Sequence, residues 1–353
     1  MKVLFLYSGS RYGVLDKAKK GETHVNGFWG MTYLPLYGIE AEYFEIEQYL
    51  PMWLARFVRK TINIYFIHLP FFWKMLSYDI VFTSAAFGTQ LFHALLHPKK
   101  SLWVMHDFSI TGLLGNEKTL RQKLFRFMVS RTAGIVTLSE DEKEKLEKRF
   151  PHLKGKVVFI PFGVDLNFFK PQNLPKKRQI LTVGFDPDRD WGTLLAAVKD
   201  INIHVVLATR MSRVEKYLPL PINVEVTQFS GRDLVKEYDK SAVVIVPLNT
   251  SSHNNDAMGC SALFEVMAMG RPVIVTRTKT IESYVNNKEN GLLVKEGSVA
   301  DMKEAINFVL DNTARAEDIG KNAYEYAIRN LDAKKCTAVL ADFFKKIYKE
   351  SRG

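Results

Sequence analysis

Cysteine is nearly absent: 353 residues contain two, Cys260 and Cys336. Two thiols cannot build a disulfide framework, which excludes a small disulfide-stapled scaffold and makes a reducing compartment the default. Internal repeats and low-complexity tracts are missing, which excludes solenoids and disordered linker proteins. The uncharged run Thr61–Trp73 is too short to span a bilayer and contains Pro70. Met1-Lys2 leads straight into the apolar run Val3–Tyr7, so no secretory leader is expected. The first glycine-containing loop, Ser8–Gly13, has GxxxG spacing and not GxGxxG, which disfavours a dinucleotide site there. Acidic residues are the minority charge, 38 against 49 Lys and Arg, and the net charge of +11 with a pI near 9.4 points to an anionic partner. A membrane surface, a nucleotide, a nucleic acid or an acidic glycan would each satisfy it.

What is present is ordinary for a soluble globular chain of two domains: 47% hydrophobic and 25% charged residues. Apolar runs of strand length alternate with helical patterns in two blocks. In the first, strands are expected at Val3–Tyr7, Ile39–Ile46, Asp79–Ser84, Ser101–Met105, Gly134–Leu138 and Val157–Pro161. In the second they are expected at Gln179–Gly184, His204–Thr209, Val224–Phe229, Val243–Pro247, Val273–Thr276 and Asn290–Val294. Ser139 is an expected N-cap, with Ser139–Glu142 as a capping box. Gln172–Lys177 is polar and basic, as a linker should be. The expected fold class is α/β, with two doubly wound parallel-sheet, Rossmann-like domains facing a cleft. The expected domains are 1–168, 169–330 and a C-terminal helical segment, 331–353, packing back towards the first domain.

One stretch, Val243–Val275, organises the second block. It reads as strand, polar loop, helix and strand, with Ser261 as the expected helix cap and Gly270 as its stop. A helix that starts beside the carboxyl end of a parallel strand aims unpaired N–H groups at a crevice, where phosphate binds. Glu265 lies about one turn further along and can accept hydroxyl hydrogen bonds, as from a ribose. A carboxylate among Ala262, Leu263, Phe264, Val266 and Met267 is costly unless partnered, which favours a functional reading.

Two further features carry chemistry. His106-Asp107 ends an expected strand, where α/β folds keep their reactive groups. Tyr49–Leu76 mixes aromatics with Arg56, Arg59, Lys60 and Lys74. Two readings of it stand: an interfacial surface for an anionic membrane, or a core helix with a solvated basic face.

Together these pieces resemble the retaining glycosyltransferases of GT-B architecture, family four (glycosyl transferases group 1). Ile160–Asp165 with Phe169 and Pro171, Ser139-Glu140, Val183–Arg189 with Thr193-Leu194-Leu195, and Gly259–Ile274 with Asn290–Val294 carry the likeness. The resemblance implies a metal-independent retaining hexosyltransferase that moves a sugar from a nucleotide diphosphate sugar to a hydroxyl acceptor. It implies no cofactor beyond that co-substrate. Donor binding is assigned to Gly184, Arg189, Arg210, Asp256, Met258, Gly259, Cys260, Ser261 and Glu265. Catalytic roles fall to Arg189, as the cation on the leaving pyrophosphate, and to His106, as a positioning group. Gly9 and Arg11 are the acceptor-side candidates. The family pairs Glu265 with an earlier glutamate, but that position is Ala257 here; His253, Asn255, Asp256 or amides near Met258 are the substitutes. Asp186-Pro187-Asp188 spells a metal-binding DxD but reads as turn chemistry.

The expected partners are a nucleotide-sugar donor, a glycan or lipid-linked acceptor and an anionic membrane surface, in bacterial cell-surface polysaccharide or glycolipid synthesis. The expected location is cytoplasmic, peripheral on the inner face of the plasma membrane. Two rivals stand beside this reading: a nucleotide-sugar epimerase of the same architecture, and a non-catalytic nucleic-acid binder. The basic residues are spread along the chain with no nucleic-acid motif, so no nucleic-acid partner is expected.

Overall fold

The structure is a computed structural model that describes all residues except Ser8, Ile64, Ala85, Ser109, Pro187, residues 251–256 and Gly353. The apolar runs form twelve strands among the described residues. They are Lys2–Leu6 (β1), Glu40–Tyr43 (β2), Ile80–Thr83 (β3), Leu102–His106 (β4), Gly134–Thr137 (β5), Val157–Phe159 (β6), Lys177–Val183 (β7), His204–Ala208 (β8), Val224–Thr227 (β9), Ser241–Val246 (β10), Val273–Thr276 (β11) and Leu292–Val294 (β12). β3, β5 and β11 are buried at every residue, which is what helices on both faces of a parallel sheet produce. The strands form two six-stranded sheets, ordered β2-β1-β3-β4-β5-β6 and β12-β11-β10-β7-β8-β9. Every pairing is parallel.

Contacts divide the chain into two units. The first is 1–19, 27–162 and 334–353; the second is 20–26 and 163–333. The division thus falls at Phe162/Gly163, ahead of the expected 168, and takes a short early segment into the second unit. In the first unit, the Ala333–Glu350 helix lays Phe344 against Phe82 of β3, ring centroids 5.4 Å apart. Gly134 opens β5 because a Cβ there would meet Ile347 and Phe343 of the same helix. In the second unit, Trp191 and Leu194 pack with Ile245 and Ile274 over the sheet.

Three local expectations need correction. Ser139 caps the Glu140–Arg149 helix by accepting from Glu142 N, but the return half of a capping box does not form. The Glu142 carboxylate is taken instead by the Thr111 amide and hydroxyl. Ser261 is an exposed residue inside the Cys260–Ala268 helix, and the cap is Gly259 at φ 82°. Finally, Arg59 is no solvated cation: it lies 2.6 Å from both Glu45 and Glu47 and is partly buried.

The Tyr49–Leu76 segment can also be read more sharply. Of the Met52–Thr61 helix only Ala55 is fully buried, in a small cluster with Ile46 and Ile67. Trp53 is 71% exposed, Phe57 60% and Trp73 75%, so these aromatics are not core. Trp53, Arg56, Phe57 and Lys60 are spaced to share one helix face. No helix among the described residues is long and apolar enough to cross a membrane.

Candidate active site

The order of the second sheet reverses between β7 and β10: β7 leads outward to β8 and β9, and the chain returns to β10 on the other side of β7. Loops leaving such a neighbouring pair diverge and open a crevice at the carboxyl ends of the strands. Here the two loops are joined backbone to backbone. Arg189 forms an antiparallel bridge with Leu248. Asn249 N donates to Asp188 O at 2.9 Å, and Asp190 N to Pro247 O at 3.1 Å. Asp190 then caps the Trp191–Val198 helix by accepting from Thr193 N.

This stitching fixes Arg189, which is 6% exposed. Its side chain runs directly across Gly184, where a Cβ would land on Arg189 Nε. The glycine is therefore a seat for the arginine. Nε is 3.2 Å from Asp186 Oδ2, within ion-pair range. Nε and Nη1 are nevertheless buried without an aligned hydrogen bond among the described residues. Burial lowers the pKa of the guanidinium, while Asp186, Tyr238, Cys260 and Glu265 all favour its charge; arginine remains a cation in such surroundings.

Glu265 reaches the same cluster from the Cys260–Ala268 helix and is 7% exposed. Tyr238 donates its hydroxyl to Oε2 at 3.0 Å. The Asn26 side chain also hydrogen-bonds this carboxylate, and its Oδ1 accepts from Asp165 N at 2.7 Å. Burial raises the Glu265 carboxyl to about 7, with Tyr238, Asn26 and Arg189 opposing. Burial likewise pushes the Tyr238 phenol up, reinforced by Glu265.

At the start of that helix, Gly259 is needed twice over. Its φ is 82°, and a Cβ would come 2.9 Å from Leu248 Cδ2. Met258 and Cys260 are buried, and Cys260 N is already spent on Ala257 O at 3.2 Å. Burial pushes the Cys260 thiol up to about 12, with Arg189 opposing. Neither Cys260 nor Cys336 forms a disulfide. Asp256, with His253 and Asn255, lies outside the described residues. Arg210 is exposed after β8, its guanidinium 6.0 Å from the Phe185 ring.

The first unit holds the remaining candidates. His106 is the last residue of β4 and is 2% exposed among Trp29, Phe82 and Phe108, at centroid distances of 4.9, 5.3 and 4.6 Å. Burial alone drops it to about 3, so the ring is neutral. Its Nδ1 has no partner among the described residues. Arg11 donates its backbone N–H to Glu45 and its Nε to Gly27 O at 3.1 Å, with the guanidinium 5.3 Å from the Tyr7 ring. Gly9 lies beside it, a Cβ there falling 3.4 Å from Arg11 Nη1.

Tyr238, Asn26 and Glu45 were not singled out from the sequence. Only Tyr238 left a signal, as an aromatic on the helix preceding β10. Asn26 sits in a segment without periodicity, and Glu45 lies near the end of the expected strand Ile39–Ile46, two residues past β2.

Residues 167–326 match the family model for glycosyl transferases group 1, and residues 38–168 match that for Glycosyltransferase Family 4. An uncharacterized glycosyltransferase of Methanocaldococcus jannaschii is 24% identical over 283 residues, 77% of this chain and 75% of that protein. Among solved structures, sucrose-phosphate synthase from Thermosynechococcus elongatus superposes with a TM-score of 0.75 at 17% identity, covering 99% of this chain and 100% of that one. Anabaena HepE in complex with UDP-glucose superposes with a TM-score of 0.68 at 17% identity, covering 98% and 100%. Both share the fold of this chain.

Proposed function

Both matched regions belong to glycosyltransferase families, and on that premise we propose that the chain transfers a hexosyl group from a nucleotide diphosphate sugar to a hydroxyl acceptor with retention. The observation that carries the reading is Arg189, a buried cation whose Nη1 has no hydrogen-bond partner among the described residues. A desolvated and under-paired guanidinium is costly, and a bound anion offsets that cost. Its place at a strand-order reversal, on a loop stitched to the one that leads to the Glu265 helix, suits a pyrophosphate.

The chemistry then follows. As the glycosidic bond breaks, negative charge grows on the leaving pyrophosphate, and Arg189 stabilises it without reorganisation or a resident metal. First-turn amides around Ser261 and Ala262 add hydrogen bonds to the same oxygens. Glu265, held by Tyr238 and Asn26, accepts from the ribose hydroxyls. His106, neutral and with Nδ1 unspent, hydrogen-bonds the sugar without acting as a nucleophile. Arg11 and Gly9 face the acceptor. Retention rests on the family resemblance, with front-face attack assisted by the leaving phosphate.

The acceptor is a glycan or lipid-linked hydroxyl at an anionic membrane surface on the cytoplasmic side, in cell-surface polysaccharide or glycolipid synthesis. Exposed Trp53 and Phe57, which share a helix face with Arg56 and Lys60, and exposed Trp73 support this. The test is a donor screen over UDP-, GDP- and ADP-sugars, UDP-glucose first because HepE was solved with it. Nucleotide diphosphate released with an acceptor supports transfer; interconversion of the sugar without release would establish an epimerase instead. Flotation with phosphatidylglycerol vesicles tests the membrane term, and protein left at the bottom of the gradient would favour a soluble acceptor.

A further inference from the structure

The second sheet has two ends, and the site above uses one. At the other end, the amino ends of β7, β10 and β11 present Lys177, Ala242 and Pro272 to a cavity of about 890 Å³. β7 is seven residues long, which separates the two ends by about 20 Å. The volume falls in the range of small-molecule sites, roughly 300–1,000 Å³.

The lining has one dominant charge. Lys170, Lys176, Lys177, Arg178, Arg271 and Lys321 line the cavity, against the two carboxylates Glu317 and Asp318. Glu317 is already engaged, 2.6 Å from Lys176 Nζ. Arg271 is held in place by its own backbone contacts, Nε to Met269 O at 3.3 Å and Nη1 to Asp239 O at 3.1 Å. Burial lowers its pKa, opposed by Asp239 and Glu317. Lys170, Lys177, Arg178 and Lys321 make no ion pair among the described residues. Like charges gathered around one concavity repel and raise its local potential, so an anion entering it relieves them together. The wall is not wholly polar, since Pro272, Leu310 and Tyr324 give an apolar and aromatic side to an organic body.

We propose that this cavity is a second anion site, separate from the candidate donor site, for a small ligand carrying more than one phosphate group. The six cations come from separate stretches of the chain, 170–178, 271 and 321, and their number suits several phosphate oxygens better than a single carboxylate. The same chemistry could be offered by a soluble polyphosphate ester or by a phospholipid headgroup.

The experiment uses the whole protein and inorganic tripolyphosphate. Lysine acetylation is read by mass spectrometry with and without the probe, and binding is measured by calorimetry. Lys170, Lys177 and Lys321 should be protected by tripolyphosphate. Arg178→Glu/Lys321→Glu should weaken this binding at least tenfold; both side chains are exposed, so folding is not at stake. Arg189→Ala should leave the protection intact, which separates this site from the donor reading: failure of one leaves the other standing. Protection by cardiolipin vesicles, whose headgroup carries two phosphates, but not by tripolyphosphate assigns the phosphates to a lipid headgroup, and the reverse assigns a soluble ester. Protection by neither, or affinity unchanged in the double variant, overturns the site.

Discussion

His106 ends a strand in the first sheet and Arg189 follows one in the second. Both are almost wholly buried, and burial does opposite things to them. His106 meets rings, so desolvation is unopposed and the imidazole falls to about 3. Arg189 meets Asp186, Tyr238, Cys260 and Glu265, which hold its charge against the same desolvation. The lesson is that burial does not by itself decide protonation; the neighbours decide it. One unit offers a neutral hydrogen-bonding group, and the other a fixed cation.

The sharpest way to break the comparison is to remove the cation. Arg189→Ala should lower kcat by about 10²–10³-fold. Thermal stability should be unchanged or slightly higher, since an under-paired buried charge is gone. A folded variant with normal kcat would remove Arg189 from the chemistry. Gly184→Ala keeps the cation and moves it, because the new methyl occupies the path of the arginine side chain. Such a displacement should cost about 10²-fold in kcat; a variant with normal kinetics would show that the seat is not needed.

Glu265→Gln should act on the donor, not on turnover. Loss of a charged hydrogen-bond acceptor should raise donor KM by about tenfold, with kcat little changed. The same residue has a pH signature. Its folded carboxyl is raised from the usual 4.5 to about 7, so the native state binds more protons than the unfolded chain across that window. Stability must therefore fall as pH rises from about 4.5 to 7, by up to about 3 kcal/mol. Melting curves of wild type and Glu265→Gln should diverge over that interval and run parallel above it; parallel curves throughout would show an unshifted carboxyl. The smallest expected effect is at His106. With its pKa near 3, pH–rate profiles of wild type and His106→Asn should have the same shape between about pH 5.5 and 8. An inflection lost in the variant would mean that the imidazole titrates there.

Much of the fold could be read from the chain because parallel strands announce themselves as apolar runs. β11 was expected at Val273–Thr276 and lies there. The helix stop at Gly270 follows the same logic, at φ 62°. Ser261 misled because a serine before an apolar run looks like a cap, whereas a left-handed glycine two residues earlier already closes the turn. Arg189 and Glu265 could be chosen by spacing, but what holds them could not. Tyr238 comes from the preceding helix and Asn26 from the far amino-terminal part of the chain, contacts no local pattern encodes. Glu45 was invisible for the same reason: its role in clasping Arg59 and the Arg11 amide depends on three separated segments.

The path of the chain has a practical consequence for anyone who cuts it. The first unit is not a continuous stretch: its sheet is completed by the Ala333–Glu350 helix, whose Phe344 and Ile347 fill space over β3 and β5. A fragment ending at the linker would leave that apolar hollow open to water and prone to aggregate. A circular permutant that carries the last helix on its new amino terminus is the form in which this half should be expressed alone.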